Sequence, residues 1–492
     1  MTTPGPIPLL LGIDVGSSRT KALLLDGAGR ERGSATVTTP FVTTGDRTEA
    51  TVGALLDAVA ELLDRLGDDR RGVAAVGVAG MAESGAPLDG AGNPLAPVIA
   101  WHDRRGEATA ERLDALFAAD LSRRIGQRIR YIATAAKLGW LVDDGLRGIT
   151  RWLGVPELVL RALTGVEATE HSLAARTACL DVASRQWLPD VAAAAGFDVG
   201  VFPQILPAGT AMGQVTAGGT AWSGLPRGVP VTIAGHDHLS GFVGSGAGPD
   251  DLANSVGTAE TVVGRSATLP DIDAAVARGG AVTLFPGGDG WAMLVSAARA
   301  GLAIDSAAAA LRRTPADLDA AAGAAHAGAL LDAPGLLDAP GLLDAPGLLE
   351  SLRRRQPPRL PTGEPGAMWA TLLDALATIT GEAVTAVTDV LGPKERLVVF
   401  GGGSTSRPWL AAKARHATLA VHRSATADAV ARGAAVRAGV AAGWWRTPAG
   451  APVAPVEPAA TVDPVAGRVN RRGSRGSEVP HVVTSPAATA DP

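Results

Sequence analysis

The sequence predicts an α/β fold built as two layered domains, on three observations. The chain opens as strand, hairpin, helix and strand; a similar turn returns near Ser255; and 492 residues exceed what one hydrophobic core usually supports. Leu9 to Ile13 is a short apolar run that reads as a buried strand, followed by a Gly- and Ser-containing turn from Asp14 to Thr20. Ala22 to Leu25 reads as the return strand, stopped by Asp26-Gly27-Ala28-Gly29. Val52, Leu55, Leu56, Val59, Leu62, Leu63 and Leu66 then recur at helical spacing, Gly67 ends the pattern, and Val73 to Val78 reads as another buried strand.

The second half repeats the theme. Leu252 to Val256 leads to Gly257-Thr258 and then Thr261 to Val263, and Ser255-Val256-Gly257-Thr258 echoes Asp14-Val15-Gly16-Ser17. Met368 to Leu391 is a long helical stretch with a possible break at Gly381. Arg396 to Phe400 is a strand running into Gly401-Gly402-Gly403-Ser404, and Pro408 to Ala417 and Thr426 to Ala442 are helical. Residues 330 to 349 carry Leu-Leu-Asp-Ala-Pro-Gly three times in succession. A Pro-Gly in every unit forbids a continuous helix, so this is expected to be a surface insertion. From about Thr447 onward Pro, Ala, Ser and Arg dominate, and a disordered tail is expected. The expected division is therefore residues 1–243, residues 244–446 and a tail at 447–492.

Composition narrows the class. Apolar residues make up 46% and charged residues 19%, a globular balance, and a net charge of −5 argues against a nucleic-acid partner. The single cysteine, Cys179, excludes an internal disulfide. No uninterrupted apolar run of transmembrane length and no secretory pattern stands out, so the cytoplasm is the default expectation, without a membrane partner. Forty arginines stand against four lysines, Lys21, Lys137, Lys394 and Lys413, which marks Lys21 as a place where a compact ammonium is wanted.

Four clusters carry chemistry. Gly16, Ser17 and Ser18 offer unobstructed N–H groups and hydroxyls for phosphate, with Asp14 at the strand end suited to hydrated magnesium and Lys21 or Arg19 to offset charge. His236-Asp237-His238 follows the strand Pro230 to Ile233, at the sheet end where α/β folds place active crevices. It reads as a general base at Asp237, as a His-x-His metal site, or as a polar loop. Trp101-His102-Asp103-Arg104-Arg105, with Ala82-Glu83-Ser84 before it, suits a polyhydroxylated ligand, although Asp103 serves equally as a helix cap. Gly401 to Ser404, with Trp409 and Lys413, lets backbone approach a flat or charged ligand.

In this order, the clusters resemble the FGGY carbohydrate kinases, part of the larger group with the actin and hexokinase ATPase core. The resemblance spans roughly residues 8 to 445 and rests on Asp14-x-Gly16-Ser17, Trp101-x-Asp103-x-Arg105, Gly235-His236-Asp237, Gly257-Thr258 and Gly401 to Ser404. Thr134-x-x-Lys137-Leu138-x-Trp140-Leu141 is a partial match to the family's first signature.

The resemblance implies two ribonuclease-H-like domains with a cleft between them, ATP and Mg2+, a carbohydrate substrate and a possible homodimer. It makes Asp237 the catalytic base and, with Asp14, a holder of magnesium. Glu83, Trp101 and Asp103 would face the carbohydrate, and His238 would touch the substrate or orient Asp237. Gly16, Ser17, Ser18, Lys21, Gly257 and Thr258 fall to the phosphates, and Gly402, Gly403 and Ser404 to the adenosine side. Ala82, where glycerol kinases carry an arginine, counts against glycerol. Two other classes stand beside the kinase: a nucleotide-dependent switch on the same core, and a metal-dependent hydrolase on His236-Asp237-His238.

Overall fold

The computed structural model describes residues 7–322 and 347–459, apart from 355, 359, 361 and 362. Nearly all of the repeat at 330–349, and the chain beyond 459, lie outside the described residues.

The first strand, Leu9–Val15, is buried at every position, which is why its apolar run is unbroken. It pairs antiparallel with Arg19–Asp26, setting Asp14 opposite Lys21. The sheet runs in the order Gly213–Gln214, Pro230–His236, Val73–Gly80, Leu9–Val15, Arg19–Asp26, Glu31–Thr38. Val73–Gly80 lies parallel to the first strand, and Pro230–His236 parallel to Val73–Gly80.

The second sheet repeats this core. Leu252–Val256 and Glu260–Ser266 form its antiparallel hairpin, Arg396–Phe400 lies parallel to Leu252–Val256, and Ala420–Ser424 parallel to Arg396–Phe400. The short echo between Asp14–Ser17 and Ser255–Thr258 thus falls on equivalent hairpin turns of two like sheets.

The expected disorder from 447 is corrected for residues 447–459. Val456–Pro458 pairs antiparallel with Ala420–Ser424, and Ala451, Ala454 and Ala459 are buried. Edge pairing needs main-chain groups and small side chains, so a lack of large apolar residues did not signal disorder here. The helix Pro365–Leu391 runs unbroken through Gly381. It is long and apolar enough to cross a membrane by length and composition, but its apolar stretch is mostly buried, against Glu260–Ser266 and the helix Arg407–His416.

The final helix, Ala429–Ala441, belongs by sequence to the second half but packs on Leu9–Val15, Val73–Gly80 and Pro230–His236 of the first sheet. The described residues accordingly fall in one compact unit. Contact is at backbone distance: a Cβ on Gly12 would stand 1.7 Å from the carbonyl oxygen of Ala431, and one on Gly77 2.0 Å from that of Ala434. The same helix crosses Asp237–Gly244, where a Cβ on Gly433 or Gly244 would lie 1.9 Å from the carbonyl oxygen of Ser240 or Ala429. Gly77→Val is expected to cost about 3 kcal/mol or more, because backbone on the far side cannot retreat. Thermal unfolding checks this, and an unchanged midpoint would refute the close-packing account.

Candidate active site

Asp237 is placed by a bulge. The register of Pro230–His236 against Val73–Gly80 shifts between Ile233 and Gly235. Gly235 has φ 113°, and a Cβ there would meet Ser172 Oγ at 2.8 Å. Ser172 Oγ accepts the His236 N–H at 3.0 Å and donates to the buried Glu170 carboxylate. The strand then ends and Asp237 opens the helix Asp237–Gly244. Its Oδ1 accepts the His238 N–H at 2.6 Å and lies 3.2 Å from His236 Nε2. Among the described residues no donor reaches Oδ2. Desolvation pushes the Asp237 pKa up, opposed by His238 and its N–H and reinforced by Glu83.

A desolvated acidic cluster surrounds Lys21. Lys21 Nζ is 2.7 Å from Asp428 Oδ2 and 4.0 Å from Asp14 Oδ2. Asp428 also caps the final helix, accepting the Ala431 N–H at 2.9 Å. Burial works against the ammonium, but Asp428, Asp14 and Asp237 outweigh it and raise the Lys21 pKa. Burial, then Asp428, hold the Asp14 pKa well above the ordinary value, with Lys21 opposing. Asp14 Oδ1 is buried without a hydrogen-bond partner. An orphaned carboxylate oxygen among acidic neighbours fits a hydrated divalent cation.

Ser18 Oγ and Thr258 Oγ1 are 3.1 Å apart, so the equivalent turns of the two sheets touch. Gly16, Ser17, Ser18, Lys21, Gly257, Thr258, Gly402 and Gly403 share one cavity of about 1270 Å³ with Asp14, Glu83, Trp101, Asp237 and His238. A Cβ on Gly402 would meet nothing within 4 Å, so that residue leaves space at the cavity wall.

Two expected contacts are not in the lining. Asp103 is buried outside it, accepting from the Thr48 N–H at 2.8 Å and from Arg105 Nη2 at 2.8 Å, and it does not cap the helix Glu107–Ile125, whose N-cap is Gly106. Its negative charge is consumed in bracing the loop below Trp101. Ser404 Oγ donates to the Gly401 carbonyl at 2.7 Å and holds the glycine turn from behind. Lys413, grouped by sequence with the glycine turn, is likewise buried. It pairs with Glu260, donates to Thr380 Oγ1 at 2.9 Å and lies 4.8 Å from the Trp409 ring centre.

The structure adds partners that carried no sequence signal. Glu83 adopts φ 60°, a strained value for a residue with a side chain, and its Oε1 accepts from Arg176 Nε at 2.6 Å. Arg176 Nη1 donates to Gln127 Oε1 at 2.6 Å, and all three residues line the cavity. Lys137 of the Thr134–Leu141 signature is buried and donates to the carbonyls of Ile132, Trp101 and Tyr131. Burial lowers its pKa to about 7. It anchors the segments presenting Trp101 rather than reaching the cavity itself.

Arg176→Met is expected to cost about 3–5 kcal/mol, because it strands the buried Glu83 carboxylate. The double variant Glu83→Gln/Arg176→Met should recover part of that loss. Urea unfolding checks both, and independent additive losses would contradict a direct pair.

The chain is similar to known proteins in sequence and in fold. Residues 9–244 match the N-terminal domain of the FGGY family of carbohydrate kinases. L-fuculokinase of Escherichia coli (strain K12) is 32% identical over 189 residues, 38% of this chain and 40% of the relative. Xylulose kinase of Streptomyces coelicolor is 27% identical over 270 residues, 54% of this chain and 55% of the relative. The chain thus spans only about two-fifths to a little over half of these relatives. A xylulose kinase structure from Rhodospirillum rubrum superposes with TM-score 0.74 at 22% identity, covering 92% of this chain and 94% of that one. A gluconate kinase from Lactobacillus acidophilus gives TM-score 0.76 at 18% identity, covering 92% and 93%. Such structural likeness establishes the fold, that of the actin-like ATPases. Residues 9–244 are thus similar to the N-terminal domain of the FGGY family of carbohydrate kinases, and the chain shares the fold of the sugar-kinase structures.

Proposed function

We propose that this chain transfers the γ-phosphoryl group of ATP to a hydroxyl of a small sugar, ketose or polyol, with Asp237 as general base. The observation that carries the reading is the position of Asp237. Its Oδ2 has no donor among the described residues, and it shares one cavity with both Gly-Ser/Thr turns and with Glu83 and Trp101. At about 1270 Å³ that cavity exceeds the usual volume for one small ligand, leaving room for a nucleotide and an acceptor together. Relatives named L-fuculokinase, xylulose kinase and glycerol kinase support a sugar or polyol as acceptor.

In this reading Trp101 packs on the C–H face of the acceptor, while Glu83, held by Arg176, accepts from its hydroxyls. Asp237 takes the proton of the reacting hydroxyl as its oxygen attacks the γ-phosphorus and ADP departs. His238 touches the acceptor or orients Asp237. Backbone N–H groups and hydroxyls of Gly16–Ser18 and Gly257–Thr258 cradle the phosphates, and Lys21 offsets their charge. Gly402 leaves space on the adenosine side, Gly403 lets the turn close against Val256 and Trp409, and Ser404 supports the turn. Asp14 and Asp237 would hold hydrated Mg2+, which neutralises phosphate charge when bound. A nucleotide switch has no need of the Glu83–Trp101 wall and is not favoured.

Asp237→Asn should lower kcat by about 10² or more while ATP binding, measured by equilibrium dialysis, persists. ATP consumption should also depend on one member of a panel of ketoses, polyols and sugar acids; turnover indifferent to acceptor would sink the kinase reading. Because the Asp237 pKa is raised, activity should fall as pH drops through a value above that of an ordinary aspartate. An acid limb at or below the ordinary value would contradict the assignment.

A further inference from the structure

We infer that His236, Asp237 and His238 also form a binding site for Zn2+, distinct in ligand chemistry from the magnesium position. These three are the only group of three His, Cys, Asp or Glu residues among the described residues with ligand atoms close enough to hold one ion, all within 4.8 Å. Asp237 Oδ1 lies between the rings, 3.2 Å from His236 Nε2 and 4.0 Å from His238 Nδ1. Tetrahedral zinc with bonds of about 2.0–2.1 Å wants donors about 3.3–3.5 Å apart. The first separation already meets that within a tenth or so; the second, and the overall spread of up to 4.8 Å, require the His238 side chain to move toward the other two donors on binding.

Independent features point the same way. His238 Nδ1 is buried without a hydrogen-bond partner, so a ring nitrogen beside the carboxylate is left unused. Its other nitrogen, Nε2, is 3.4 Å from Thr261 Oγ1 on the second sheet, the kind of outer contact that orients a metal-binding imidazole. The His236 side chain is only 7% exposed, and its ring stands edge-on to that of His238 with centroids 5.1 Å apart. All three residues line the main cavity, which leaves a fourth position for water or ligand. Two imidazole nitrogens and one carboxylate oxygen suit zinc, whereas magnesium prefers an all-oxygen shell.

A zinc ion held through Oδ1 withdraws electron density from the carboxylate whose Oδ2 is left for the acceptor hydroxyl, so it weakens Asp237 as a base and lowers phosphoryl transfer. That consequence rests on the kinase reading; the binding does not. The test uses untagged full-length chain, equilibrium dialysis against Zn2+ with a chromophoric chelator, and visible spectra of the Co2+-loaded protein. One Zn2+ per chain is expected, with affinity at least tenfold weaker in His238→Asn. Co2+ should give the intense bands of a tetrahedral site, and Zn2+ should abolish them. Failure of the native chain to bind zinc, undiminished affinity in His238→Asn, or a pale octahedral Co2+ spectrum would each overturn the proposal. The Co2+ spectrum of the native chain stands even where the variant misfolds. Zinc uptake without acceptor-dependent ATP consumption would remove the kinase reading and leave the site intact; transfer without uptake would do the reverse.

Discussion

The structure depends on helix backbone lying directly on sheet backbone. Ala429–Ala441 reaches across from the second half to rest on Gly12 and Gly77 of the first, and it crosses Asp237–Gly244 where Gly433 and Gly244 meet backbone. No side chain larger than hydrogen fits at these four points. This contact sets the separation of the sheets. From that separation follow the meeting of Ser18 with Thr258 and the approach of Asp428 to Lys21.

That geometry gathers like charges where water is scarce. Asp14, Asp237 and Asp428 converge on one ammonium, and Asp14 keeps an oxygen that no protein group satisfies. Charges so placed cost stability unless something cationic joins them. Two other buried charges have built-in ionic partners. Glu83 meets Arg176 and Lys413 meets Glu260 inside the protein. The contrast separates groups whose partners are built in from groups left to receive one. Asp14 falls in the second class, and so does the unused nitrogen of His238.

Holding the geometry of the Glu83–Trp101–Asp237 wall falls to residues outside the cavity lining. Lys137 gathers three carbonyls, Asp103 braces the loop under Trp101, and Ser172 with Glu170 fixes the bulge before Asp237. Each is a buried polar group whose hydrogen bonds rigidify a loop, so that the residues facing the cavity need little reordering when a ligand arrives.

By itself the sequence determined the core strands of both hairpins, the equivalent hairpin turns, the carboxylate after Gly235-His236 and the glycine and hydroxyl turns that line the cavity, because apolar runs, glycines and hydroxyls act over a few neighbouring residues. It did not settle which polar residues face the cavity and which support it from behind: Asp103, Ser404 and Lys413 read as site residues but lie buried in supporting bonds. Nor did it reveal Arg176 and Gln127 beside Glu83, or the strand Val456–Pro458. Those were decided by tertiary structure alone, since the pairing of a buried charge, or of an edge strand, depends on partners far off in the chain that no local pattern encodes.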